Sequence, residues 1–160
     1  MRPSVLASFM PSCVALFVGC GSTLATAADE PAVNQADVVK AAKWDDMTTV
    51  TIQLNEHEFD PQHLKLKVNQ PYRLVLQNKG EADHYYTAAG FFKSVAWRKT
   101  QTPRPHGGEI KAPYLTAVEV YKKGGTIELF IVPVRKGVYE VICTIDDHKD
   151  KGKTGSITVE

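Results

Sequence analysis

The sequence is poor in cysteine, with three among 160 residues. Cys13 and Cys20 lie near the N-terminus, and Cys143 lies near the C-terminus. If the N-terminal segment is removed during export, Cys143 has no partner, which excludes a fold stabilised by disulfide bonds. A lone thiol in an oxidising compartment is either a buried, inert side chain or part of a chemically active site.

A surplus of one charge and long hydrophobic runs are also missing. Lys and Arg number 19 and Asp and Glu number 18, so the net charge is +1. The basic excess typical of nucleic-acid-binding proteins is therefore absent. Apart from the N-terminal segment, no apolar stretch approaches the length of a membrane-spanning helix. We therefore expect no nucleic-acid partner and no membrane span.

The N-terminal residues 1–27 have the features of a secretory signal peptide. Arg2 precedes an apolar run at residues 13–18, and residues 25–27 form an Ala-x-Ala cleavage site. This pattern predicts export to the periplasm or to the outside of the cell. In the alternative interpretation, a lipoprotein signal, Cys20 would carry a lipid anchor.

The rest of the chain divides into a tether and one domain. Residues 28–46 are polar, alanine-rich and weakly patterned, which is typical of a flexible N-terminal segment with one loose helical turn. Residues 47–160 are enough for one ordinary domain with its own hydrophobic core.

The domain shows the pattern of an all-β fold. Short segments in which apolar and polar residues alternate are separated by turns rich in Gly, Pro and Asn, and this period of two is typical of strands with one buried face. Short strands at regular spacing favour an antiparallel Greek-key β-sandwich. The predicted strands cover residues 50–54, 64–68, 72–77, 118–120, 126–132, 138–143 and 156–159, and another begins near residue 84.

One stretch, residues 88–113, is too long for a hairpin turn. Its apolar residues have spacings compatible with a short amphipathic helix, so we expect one longer, partly helical insertion before the fifth strand. Its basic residues form either a docking face or, more commonly for charged runs, a solvated surface. The apolar residues are Phe91, Phe92, Val95 and Trp97; the basic ones are Lys93, Arg98, Lys99 and Arg104.

The C-terminal stretch carries the residues of greatest chemical interest. Cys143 ends a predicted strand, His148 follows five residues later, and a glycine-bearing return at residues 152–155 leads into the last strand. A thiolate and an imidazole on one loop can bind the same ion, and a second imidazole would complete a His2Cys set suited to copper. His84 is the upstream candidate.

This arrangement resembles the cupredoxin family of small periplasmic blue-copper proteins. The resemblance implies a Greek-key sandwich with one mononuclear copper ion that cycles between Cu(I) and Cu(II), bound by His84, Cys143 and His148. It further implies a monomeric electron carrier, not an enzyme, whose partners are redox proteins or copper-handling proteins. The residues that carry it are Phe59-Asp60-Pro61, Asn78-x-Gly80 followed by His84, and Gly137-x-Tyr139-x-x-x-Cys143-x-x-x-x-His148-x-x-x-Gly152-x-x-Gly155.

The sequence departs from the family pattern at Lys153, where the resemblance implies a methionine as weak axial ligand. An ammonium has no lone pair with which to coordinate a metal. Three outcomes remain open: a nearly three-coordinate site with the Asp83 carbonyl as a distant oxygen, a site supported by the carboxylate of Glu56 or Glu58, or a site that binds copper loosely.

Other functions use the same residues. A copper carrier or buffer would deliver or sequester copper without electron transfer. In a cysteine hydrolase, Cys143 would be the nucleophile and His148 or His84 its base, but the sequence has no obvious segment for an oxyanion hole. A metal-free interaction domain is the third alternative.

The remaining histidines have simpler interpretations. His57, beside Glu56, either belongs to a second, surface metal site or is solvated, and solvation is the commoner case for a strand histidine between glutamates. His63 and His106 have the character of loop residues.

Overall fold

The computed structural model describes residues 34–103, 108–112 and 114–160. In these ranges, two short α-helices accompany eleven strands and a 3₁₀ turn at Trp44–Asp46. The predicted signal peptide with its cleavage site, Cys20, Arg104 and His106 lie outside the described residues. The elements are α1 (Gln35–Ala41), β1 (Thr48–Leu54), β2 (Phe59–Asp60), β3 (His63–Leu66), β4 (Tyr72–Asn78), β5 (His84–Thr87), α2 (Ala89–Phe92), β6 (Val95–Gln101), β7 (Glu109–Ile110), β8 (Ala117–Val120), β9 (Thr126–Pro133), β10 (Gly137–Ile142) and β11 (Thr154–Val159).

The strands form two sheets, so the predicted all-β sandwich is confirmed. The first sheet has the order β2-β1-β4-β9-β6-β7 and the second β3-β11-β10-β5-β8. Most neighbours are antiparallel, but β1 pairs with β4 and β3 with β11 in parallel. Between β1 and β4 the chain crosses to the second sheet, forms β3 there and crosses back. As a result, β1 and β4 run in the same direction through the first sheet.

The core lies between the sheets and follows the alternation expected from the sequence. In β4, Tyr72, Leu74 and Leu76 are buried while the intervening side chains are partly exposed. Burying a large aliphatic side chain contributes about 1.5–3 kcal/mol. The remaining buried aliphatic residues on β1, β3, β10 and β11 are Ile52, Leu54, Leu64, Leu66, Val141, Ile157 and Val159.

The insertion at residues 88–113 is only partly as predicted. Its helix is limited to α2, where Phe91 and Phe92 are fully buried. The expected helical continuation through Val95 and Trp97 is wrong, because these residues lie in β6, which pairs with β9. The start of β6 is buried on consecutive residues, and α1 packs against β6 and β9. A strand covered on both faces shows no alternation in its sequence.

The described part of the predicted tether, residues 34–46, contains α1 and the 3₁₀ turn. Asn34 caps α1 by accepting a hydrogen bond from the Ala36 amide at 3.1 Å. Two of the basic residues of the insertion have partners within the chain: the Arg98 guanidinium lies 4.6 Å from the centre of the Trp44 ring, and Lys99 forms an ion pair with Glu109. Within the described residues, no helix has the length and apolar character needed to cross a bilayer.

Candidate metal centre

Three donor residues meet at one end of the sandwich. Cys143 directly follows β10, His148 lies in the loop between β10 and β11, and His84 begins β5. Since β5 and β10 are antiparallel neighbours, the start of β5 lies beside the chain that continues past the end of β10. The ligating atoms of the three side chains all lie within 4.8 Å of one another. The fold thus brings together residues that are up to 64 positions apart in sequence (148 − 84 = 64).

His84 is buried without hydrogen bonds. Its side chain is fully buried, and among the described residues neither ring nitrogen has a hydrogen-bond partner. The Glu56 carboxylate lies 3.9 Å from Nε2, beyond hydrogen-bond distance. A buried polar group that lacks a partner costs about 1–3 kcal/mol. A neutral imidazole carries a proton on one nitrogen and a lone pair on the other. His84 can therefore offer one nitrogen to a metal ion without breaking a hydrogen bond to any described residue.

The surroundings of His84 keep its ring neutral. Burial, followed by the positive charge of Lys153, lowers the pKa of His84 from 6.5 to about 4, against the opposing effect of Glu56. At neutral pH the imidazole therefore carries a free lone pair, which is the form that binds metal ions.

Cys143 and His148 form the other side of the centre. The Cys143 thiol is fully buried, and its Sγ lies 3.5 Å from His148 Nδ1. The His148 side chain retains a small exposed fraction, since the residue is 8% accessible. Backbone hydrogen bonds join the ends of the loop: the Cys143 amide donates to the Lys153 carbonyl at 3.1 Å, and the Lys153 amide donates to the His148 carbonyl at 2.9 Å. Main-chain hydrogen bonds thus hold the loop that carries both donors.

Lys153 points into the same end of the sandwich. It is fully buried, its Nζ donates a hydrogen bond to the Asn55 carbonyl, and the nitrogen lies 5.5 Å from the centre of the Phe59 ring. Burial lowers the pKa of Lys153 to about 8, and the charges of Cys143 and Glu56 oppose that shift. A buried cation therefore occupies the position at which the resemblance implies a methionine.

The turn between β4 and β5 positions His84. The buried Asn78 side chain donates hydrogen bonds to the carbonyls of Ala82 at 2.9 Å and Val120 at 2.7 Å, and accepts one from the Gly80 amide at 2.8 Å. A Cβ atom at Gly80 would lie 2.6 Å from both His84 Nε2 and Glu56 Oε2. A glycine is thus needed at this position because the His84 imidazole and the Glu56 carboxylate occupy the space beside it. Sequence reasoning noted the Asn-x-Gly pattern but assigned it no contact.

The candidate axial carboxylates differ in position. Glu56 accepts a hydrogen bond from the Glu81 amide at 2.8 Å and faces His84. Glu58 is exposed and its carboxylate accepts from the Asn55 side chain at 3.2 Å. Asp83 is a candidate through its backbone carbonyl and not through its carboxylate, which accepts a hydrogen bond from the Lys122 amide at 2.8 Å. Of the two carboxylates considered for axial support, Glu56 is the one that the structure orients toward the donor cluster.

Comparison with known proteins identifies the family. The family model described as a cupredoxin-like domain matches residues 24–159 of the chain. The chain belongs to the cupredoxin-like family. No match was found among curated protein sequences.

Solved structures of similar fold include a multicopper oxidase and a Cu-containing nitrite reductase. A Cu-containing nitrite reductase from Thermus scotoductus has a TM-score of 0.54 at 11% identity, over 71% of this chain and 31% of that one. A multicopper oxidase from Campylobacter jejuni has a TM-score of 0.50 at 16% identity, over 70% and 30%. A reduced auracyanin from Roseiflexus castenholzii has a TM-score of 0.49 at 19% identity, over 71% and 97%. This chain spans less than a third of the oxidase and reductase chains, and at such identities the likeness concerns the fold alone.

The other histidines that the structure describes in this cupredoxin-like chain, His57 and His63, lie outside the cluster. Among the described residues, His84, Cys143 and His148 are the only group of three or more His, Cys, Asp or Glu side chains with clustered donor atoms. His57 is exposed, with its ring centre 6.2 Å from that of His148. His63 is also exposed, and its Nδ1 lies 3.0 Å from Ser156 Oγ. The described residues include no group of three or more such donors around His57 and Glu56, and the surface metal site considered for this pair stays a prediction.

Proposed function

We propose that this cupredoxin-like protein binds one copper ion through His84, Cys143 and His148 and acts as a one-electron carrier, not as an enzyme. The observation that carries the proposal is the meeting of three buried donors, one of which, His84, has no hydrogen-bond partner among the described residues. The N-terminal pattern adds that it works in the periplasm or outside the cell.

The donor set suits copper better than other common metals. A cysteine thiolate with two imidazoles is the combination found at blue-copper centres, whereas a structural zinc site has four protein ligands. The neutral state of His84 and the proximity of Cys143 Sγ to His148 Nδ1 fit such an ion. When bound, copper supplies a reversible change between Cu(I) and Cu(II).

The protein's own contribution is rigidity and exclusion of water. His84 and Cys143 are fixed at strand ends in the hydrophobic sandwich, and the loop of His148 is closed by backbone hydrogen bonds. Ligands held in place move little when the oxidation state of the bound copper changes, and this small reorganisation favours fast electron transfer. His148 is the partly exposed member of the set, and its ring edge is the contact that we assign to a redox partner protein.

A copper carrier or buffer is the second candidate. Lys153 favours it, because the cation takes the place of an axial donor and a weaker site releases its ion more readily. The full burial of His84 and Cys143 favours electron transfer, since a delivery site must expose its ion to an acceptor protein. We therefore rank the electron carrier first.

One experiment separates the candidates. The purified protein receives one equivalent of Cu(II), and visible absorption and electron paramagnetic resonance are recorded together. An intense thiolate-to-copper band with narrow hyperfine splitting is expected for the electron carrier. A weak band with wide hyperfine splitting would favour the copper carrier or buffer.

The matched variants assign the ligands. Cys143→Ser should abolish the band, because the hydroxyl of serine is a poor ligand for this chemistry. His57→Ala, which changes an exposed histidine near the cluster, should leave the band unchanged. A band that persists in Cys143→Ser would remove Cys143 from the centre.

A further inference from the structure

The buried ammonium of Lys153 is the feature of the centre that a copper-binding role does not by itself explain. Lysine is almost never fully buried unless its charge is paired, and the desolvation of an ion costs several kcal/mol. The described contacts of Nζ are a hydrogen bond to the Asn55 carbonyl and the face of the Phe59 ring, and Cys143 and Glu56 lie near enough to influence its pKa. The fold thus maintains a positive charge close to the thiol that would bind the metal.

The other lysines of the same loop show that this placement is specific. Lys149 and Lys151 are about half exposed and pair at the surface with Glu140, at 3.7 Å, and Asp147, at 2.9 Å. Lys153 differs in its backbone hydrogen bonds. Its carbonyl accepts a hydrogen bond from the Cys143 amide, and its amide donates one to the His148 carbonyl. This main-chain bridge between the two loop donors fixes where the Lys153 side chain begins and directs it inward.

We propose that Lys153 is a fixed positive charge that biases the copper of this centre toward Cu(I) and so raises its reduction potential. The inference rests on the proposed function. A positive charge repels a divalent ion more than a monovalent one, and the interaction is strong where the surroundings are apolar. The ammonium of Lys153 also has no lone pair. Compared with the methionine that the resemblance implies, Lys153 therefore removes an axial donor and adds a positive charge.

Glu56 is the charge that opposes this effect. Its carboxylate lies 3.9 Å from His84 Nε2, but the side chain is 41% exposed. Water and salt screen an exposed charge more effectively than a buried one. The two charges therefore act in opposite directions, and Lys153, being fully buried, has the larger effect.

The test measures the affinities for Cu(I) and Cu(II) separately, by competition with chelators specific for each oxidation state, and the reduction potential by spectroelectrochemistry. Lys153→Leu removes the charge and adds no donor. We expect the ratio of Cu(I) to Cu(II) affinity to fall at least tenfold, equivalent to about 59 mV for a one-electron couple. Lys151→Leu, which removes an exposed lysine of the same loop, should change the ratio less than twofold.

Two further variants keep the test decisive. Lys153→Gln is neutral but retains a hydrogen-bond donor for the Asn55 carbonyl, and it should shift the ratio in the same direction even if Lys153→Leu folds poorly. Glu56→Gln should shift it in the opposite direction. Urea unfolding of each metal-free variant checks that the fold is intact.

The outcomes distinguish the two proposals. A ratio that is unchanged or higher in both Lys153→Leu and Lys153→Gln, with copper bound normally by the unsubstituted protein, overturns the inference alone. If the unsubstituted protein binds no copper in either oxidation state, the proposed function fails and the inference fails with it.

Discussion

His84 shows how a single side chain can be placed for a ligand at a cost to the fold. Its two ring nitrogens are buried without hydrogen bonds among the described residues, and such groups normally find partners in folded proteins. Gly80 leaves room for the ring, and Asn78 fixes the turn that precedes it. The local structure around His84 therefore leaves its ring nitrogens available for the copper ion that we propose, at a cost to stability.

Gly80→Ala should weaken copper binding. The added Cβ would lie 2.6 Å from His84 Nε2 and Glu56 Oε2, and real Cβ atoms do not approach other atoms so closely, so the imidazole must move. We expect at least tenfold lower copper affinity, measured by chelator competition, because ligand positions must be held to within a fraction of an ångström. Gly108→Ala is the control, since a Cβ there meets no described atom within 4 Å. Equal affinities in the two variants would contradict the role assigned to Gly80.

At the scale of the strands, a polar cluster on the first sheet joins three neighbours. Glu128 on β9 is buried, forms an ion pair with Arg73 on β4 and accepts a hydrogen bond from Gln101 on β6 at 2.7 Å. Burial acts to raise the pKa of Glu128, but the hydrogen bonds from Arg73 and Gln101 outweigh it and leave that pKa below its ordinary value of 4.5. The charged form is thus the one that links the strands.

This cluster predicts a pH dependence of stability. The unfolded chain binds a proton at Glu128 near pH 4.5, whereas the folded chain binds it only at lower pH, so the stabilisation is complete above pH 4.5 and is lost as the pH falls through the folded pKa. Glu128→Gln should lower the free energy of unfolding at pH 7 by about 1–3 kcal/mol. In urea titrations of the metal-free protein, the difference from the unsubstituted protein should shrink as the pH is lowered toward 3.

The matched control is Glu140→Gln. Glu140 is exposed and lies 3.7 Å from Lys149, and surface pairs of this kind contribute at most about 1 kcal/mol. Its substitution should change stability little at either pH. A Glu128→Gln difference that stays constant across the pH range would show that the carboxylate does not link the strands through its charge.

At the scale of the whole molecule, the proposed copper binding should be coupled to folding. The three donors come from the start of β5, the residue after β10 and the following loop. They meet only when β5 and β10 are paired in the second sheet. An unfolded chain has no such site, so any free energy of binding adds to the free energy of folding.

Copper should therefore raise the unfolding temperature. At a free ligand concentration of a thousand times Kd, linkage adds about 4 kcal/mol to stability. Calorimetry of the unsubstituted protein with and without Cu(I) should show this increase, and Cys143→Ser should show little of it. An equal increase in both proteins would place the bound copper elsewhere on the chain.

Much of this architecture could be predicted from the sequence. Alternation predicted the strands because each side chain of a strand faces the opposite side from its neighbour. The spacing of Cys143 and His148 predicted a shared loop, because two side chains only five positions apart in sequence lie on the same short segment. Alternation does not reveal which strands pair or in which direction, so the parallel pairs of β1 with β4 and β3 with β11 were not predicted.

What only the tertiary structure decided are the contacts between distant parts of the chain. Periodicity misassigned Val95 and Trp97, because α1 packs against β6 and the first residues of that strand are buried without alternation. The meeting of His84 with the C-terminal loop depends on the pairing of β5 with β10. The inward direction of Lys153 depends on its backbone bonds to Cys143 and His148. A sequence pattern records the faces and spacing of a local segment, whereas burial and charge at the centre arise from segments that only folding brings into contact.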